Sequence, residues 1–70
     1  MYDLRKIDDC RAYLEFVEKS FQVQLGPTTK LAFRHGQTGQ HKNIEDFTEQ
    51  ELMDVALDIA MKWKTEGVKQ

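Results

Sequence analysis

Two histidines, His35 and His41, are separated by five residues, and Cys10 is the chain's single cysteine. A structural zinc site takes about four ligands from Cys, His and carboxylates at characteristic spacings, so this set predicts no metal centre. Glu45 and Asp46 are neighbouring carboxylates, but side chains adjacent in sequence point apart. Their position just before a helix start suits N-terminal electrostatics better than acid–base catalysis. Ser20, combined with His35 and a carboxylate, has the residue types of a nucleophilic set, yet no nucleophile-elbow motif surrounds it. The segment Gly36-Gln37-Thr38-Gly39 has neither the Gly-Lys-Ser/Thr ending of a phosphate-binding loop nor a dinucleotide fingerprint. The chain is therefore expected to be non-enzymatic, with no cofactor and no small-molecule substrate.

The remaining chemistry is that of surfaces. Between Glu18 and Glu45 there is no Asp or Glu, while Lys19, Lys30, Arg34 and Lys42 fall in that span with His35 and His41. From residue 43 to 61 the pattern inverts, with Glu45, Asp46, Glu49, Glu51, Asp54 and Asp58 and no Lys or Arg before Lys62. Lys30, Arg34 and Lys42, beside Gln37, Thr38, Gln40 and Asn43, form the candidate nucleic-acid contact of the alternative reading. The competing account is a solvated hairpin edge that Lys and Arg protect from strand pairing. The acidic block reads first as a solvated helix face with anions at its positive end, and a phosphate-mimicking face is a further variation.

Positioning these groups requires helices and turns. Leu4, Ile7, Cys10, Leu14, Val17 and Phe21 recur at steps of three and four, which predicts an amphipathic helix over about 4–21, capped by Asp3 or Asp8. Phe21, Val23 and Leu25 then alternate with Gln22 and Gln24, predicting a short strand. Gly26-Pro27-Thr28-Thr29 predicts a turn, and Leu31 and Phe33 predict a second strand. A rival reading makes residues 27–35 a short helix with Pro27 at its first position and Gly36 as its stop. Residues 36–39 form a further turn, and residues 40–44 a weak third strand.

The last helix, over about 49–65, is the best specified. Thr48 and Glu51 match a capping box, Phe47 and Leu52 a hydrophobic staple, and Lys62, Lys64 and Gly67 suit its C-terminal end. Leu52, Val55, Ile59 and Trp63 form the expected core stripe, with Ala56 and Ala60 beside it. Met53, Leu57 and Met61 form a second apolar stripe displaced around the helix. Either that second stripe is covered by the rest of the domain, or it meets a second copy or another protein. Phe16, off the main stripe of the first helix beside Tyr13, is a second candidate anchor.

Length bounds the outcome. Seventy residues at 8.2 kDa make a single small domain over residues 1–70. A chain of this size buries only about 60% of its unfolded surface, a marginal core that makes self-association or partner binding an expected source of stability. The composition, 40% apolar and 31% charged with one Pro and four Gly, fits a folded domain, with a net charge of −2. A lone cysteine and the absence of a leader pattern predict a cytoplasmic setting without disulfides, and no apolar run reaches the roughly 20 residues of a membrane span.

The fold expected is α+β: helix, strand, strand, a weak third strand and helix, with both helices packed on a short antiparallel sheet. An all-α three-helix domain is the alternative. The function expected is a protein-interaction module, a small regulatory or accessory protein acting through its C-terminal helix by homodimer formation or partner binding. Met53, Leu57, Met61 and Phe16 are the candidate partner-binding residues.

Overall fold

The three-and-four spacing of the first segment folds as a helix, α1, over Ile7–Leu25. This computed structural model describes residues 2–63 and 68–69. Cys10, Tyr13, Leu14 and Val17 form the buried stripe of α1, and Leu4 is buried just ahead of it. Neither aspartate caps it. Lys6 holds the N-cap position in extended backbone without a side-chain bond. Asp3 instead accepts from the backbone N–H and Nε of Arg5, and Asp9 Oδ2 accepts the Asp3 N–H at 2.9 Å. Asp8 and Asp9 lie in the first turn, where the macrodipole favours them.

The strand expected over 21–25 is the end of α1. Adding a residue to an existing helix gains one backbone hydrogen bond without a new nucleus, so three alternating apolar residues do not interrupt it. Phe21 stays half-buried, whereas Val23, at 87% exposure, and Leu25 point to solvent. The helix stops at Gly26, whose φ of 122° is open to glycine and whose N–H donates to Gln22 O. The turn expected at 26–29 follows, tied by Thr29 N–H to Gly26 O and by Gln22 Nε2 to Thr29 O.

Residues 27–35 are not a helix. Phe33–Arg34 forms a strand, here β2 after β1 at Tyr2–Asp3, and pairs antiparallel with β3 at His41–Lys42. The register sets Phe33 opposite Lys42 and Arg34 opposite His41. The hairpin turn ends at Gly39, whose φ of 72° is left-handed. The weak third strand is thus real but stops at Lys42, because Ile44–Asp46 turns into a single 3-10 turn that packs Ile44 on the core.

The second helix, α2, spans Glu49–Trp63. Its capping box is present: Glu51 N–H donates to Thr48 Oγ1 at 3.3 Å, and Thr48 N–H donates to Glu51 Oε1 at 3.0 Å. Phe47 and Leu52, the expected staple, are both buried. The side chain of Trp63, the continuation to Thr65, and the roles of Lys64 and Gly67 lie outside the described residues.

One pairing was not expected from sequence. β1 pairs in parallel with β4 at Val68–Lys69, Tyr2 opposite Val68 and Asp3 opposite Lys69. The result is a small α+β domain, with two helices around a core of Tyr13, Leu14, Leu52, Val55 and Cys10, closed by Phe33 from the hairpin.

Candidate functional site

The face of α2 turned to α1 is fully apolar: Leu52, Val55, Ala56 and Ala60 are buried, and Ile59 is half-buried against them. The second stripe divides along its length. Met53 is half-buried and packs on the core, so it belongs largely to the domain itself. Leu57 is 41% exposed and Met61 57% exposed, so the stripe opens to solvent toward the helix's C-terminal half.

Leu57 and Met61 line a groove of about 350 Å³ together with Asp54, Asp58 and the turn residues His35, Gly36 and Gln37. The wall opposite the helix is held by His35, 4% exposed. His35 Nδ1 lies 3.1 Å from Thr38 Oγ1, and Nε2 lies 3.4 Å from Asp54 Oδ2. Thr38 Oγ1 also accepts the Gln40 N–H at 3.3 Å. The backbone closes the same turn, with His35 N–H donating to Gln40 O and Gly39 N–H to His35 O, both at 2.8 Å. His35 therefore pins the hairpin turn to α2. Gly36 faces Asp58 across the groove, where a Cβ would meet the carboxyl group at 3.9 Å, an ordinary contact.

The hydroxyl, imidazole and carboxylate of Thr38, His35 and Asp54 lie in sequence, but the hydroxyl belongs to the histidine's own turn and is already bonded to Gln40 N–H. Ser20, the nucleophile candidate, is far from this arrangement in bonding terms: its Oγ donates back to Phe16 O within α1. Cys10 is fully buried and its Sγ donates to Leu4 O. Burial, together with the nearby Asp9 and Asp3 charges, pushes its thiol up, so it remains neutral. Among the described residues no group of three or more His, Cys, Asp or Glu side chains could hold a metal ion.

The acids of the groove have local partners. Asp54 Oδ1 accepts from Gln50 Nε2 at 3.0 Å, and Asp58 pairs with Lys62 at 3.3 Å. Both remain accessible enough to meet an incoming cation, with side-chain exposures of 34% and 37%.

Phe16 is 46% exposed on α1 and does not line this groove. Tyr2 stands beside it with ring centroids 6.2 Å apart, and beside Tyr13 at 5.6 Å. The basic residues are dispersed. Lys30 Nζ lies 2.7 Å from Glu45 Oε1, which raises the lysine's pKa, and Lys42 lies 3.2 Å from Glu51 Oε2. Arg34 is exposed and makes no ion pair among the described residues. Two of the three candidate phosphate contacts thus already face carboxylates.

A second depression of about 380 Å³, lined by Arg11, Glu15, Glu18, Ile44, Glu45 and Phe47, lies between α1 and the 3-10 turn. Glu18 is committed there, accepting the Leu31 N–H at 2.8 Å.

The sequence singled out Leu57 and Met61 by helical spacing. It missed His35, Gly36, Asp54 and Asp58 as their neighbours, since that wall exists only once the hairpin turn folds onto α2. No helix among the described residues is long and apolar enough to cross a membrane. No protein-family model, curated protein or solved structure matches the chain.

Proposed function

We propose that this protein is a non-enzymatic interaction module, a small regulatory or accessory protein, that binds a protein partner in the groove between α2 and the 35–37 turn. The single observation that supports the reading is the exposure of Leu57 and Met61 beside that groove, on a helix whose other apolar side chains, among the described residues, are buried or half-buried. A long apolar side chain and a thioether in the open are adaptable contact surface. Asp54 and Asp58 border them, so the partner segment that fits carries an apolar side chain for Leu57 and Met61 and an adjacent Lys or Arg for the acids. The single buried Cys10 suits a reducing, cytoplasmic setting.

Selection from a random peptide display library tests this. Binding peptides are expected to combine a cation with apolar residues and to shift the amides of residues 35–37 and 54–61. Leu57→Asp, made at an exposed position, is expected to keep the native spectrum and weaken those peptides at least tenfold, the equivalent of about 1.4 kcal/mol. Peptides that shift other regions, or that bind Leu57→Asp unchanged, would overturn the reading.

A further inference from the structure

The outward face of α1 carries two adjacent rows. Ala12, Phe16 and Val23, at steps of four and seven, form an exposed apolar row, and Ser20 between them turns its hydroxyl back on Phe16 O. About a fifth of a turn round the helix, Asp8, Arg11, Glu15 and Lys19 form a second row, exposed throughout, Arg11 and Glu15 at the rim of the depression beside the 3-10 turn, with none of the four in an ion pair among the described residues. Tyr2 flanks Phe16 from the Tyr13 side, which is the side away from this charged row.

The signs along the charged row run minus, plus, minus, plus. Reversing the direction of such a row inverts every sign, so it is complementary to itself when antiparallel and self-repelling when parallel. The apolar row gives the same register. In an antiparallel pair centred at residues 13–14, Phe16 stands level with the partner's Ala12, a large side chain over a small one. In that register Asp8 is level with the partner's Lys19 and Arg11 with the partner's Glu15, each within about two residues' rise, or about 3 Å.

We propose that α1 pairs antiparallel with α1 of a second copy of this chain, Phe16 seating on the partner's Ala12 while the Asp8, Arg11, Glu15 and Lys19 rows interlock. The contact is isologous, as a two-fold dimer requires. It uses a different face from the α2 groove and stands or falls separately from the partner-binding reading. One helix pair is a small interface, so association rises through the micromolar-to-millimolar range.

Sedimentation equilibrium over that range tests it, with two charge variants. R11E/K19E makes the row wholly acidic and D8K/E15K makes it wholly basic; all four positions are exposed, so both variants are expected to keep the native amide spectrum. Each alone is expected to lose at least tenfold in self-association, and an equimolar mixture to recover it as a heterodimer. Phe16→Glu is expected to abolish association, and Leu57→Asp to leave it unchanged. A wild-type chain that stays monomeric to millimolar concentration, charge variants that associate as well as wild type, or variants that fail to recover on mixing would each overturn the proposal.

Discussion

At the scale of single residues, the clearest agreement between sequence and geometry lies where the interaction is local. Thr48 and Glu51 satisfy each other's backbone N–H groups across three residues, a relation that needs nothing from the rest of the chain. The same bond holds Glu51 below the usual carboxylate range, with the Lys42 ammonium adding to it. Thr48→Ala is expected to cost about 1 kcal/mol, which lowers the melting temperature of a domain this size by roughly 4–8 °C in a thermal unfolding scan. His35 shows the opposite case. Its role in holding the turn against Asp54, nineteen positions away, has no local signature, and a histidine in a polar loop reads as exposed until α2 is folded beside it.

Among the elements, the ends of α1 show how local pattern and cooperative extension compete. Phe21, Val23 and Leu25 alternate as a half-buried strand would, but the strands among the described residues pair with one another, and the helix already formed supplies each added residue with a carbonyl. Val23→Pro discriminates the two conformations. In the last turns of a helix it removes a backbone bond and clashes with the preceding turn, and a loss of about 3 kcal/mol is expected in denaturant unfolding. An exposed edge strand would tolerate it. The hairpin was legible in part: Phe33 and the turn glycines point to β2 and the turn after it. The pairing of His41 and Lys42 rests on register with Phe33 and Arg34, and residues 40–44 carry only Ile44 as a strongly apolar side chain. The outward row of α1, by contrast, is written in the spacing of Asp8, Arg11, Glu15 and Lys19, and only the exposure of that face makes it a candidate contact.

For the whole molecule, β1 and β4 join the two ends of the chain, and Asp3 is the anchor on that side. The Arg5 guanidinium and backbone N–H hold the Asp3 carboxyl down from the ordinary 3.8 to about 2. Because the folded state binds this proton less readily than the unfolded chain, the contribution is complete above about pH 4 and lost as pH falls from 3.8 toward 2. A carboxyl titration followed by carbon-detected NMR is expected to place the Asp3 midpoint near 2, and Arg5→Gln is expected to return it toward the ordinary value. By itself the sequence determined the two helices, the cap of α2, the turns at 26–29 and 36–39 and the apolar spacing of Leu57 and Met61. Each follows from contacts within one or two turns of chain, where periodicity and capping chemistry act directly. Only the tertiary structure decided that 21–25 stays helical, that Met53 is taken into the core while Leu57 and Met61 stay open, and that His35 and Gly36 wall the groove. It also decided that Lys30 and Lys42 face carboxylates and that β1 meets β4. Those outcomes depend on which distant surfaces remain to be covered once the two helices have packed, and burial between remote segments leaves no period in the sequence to read.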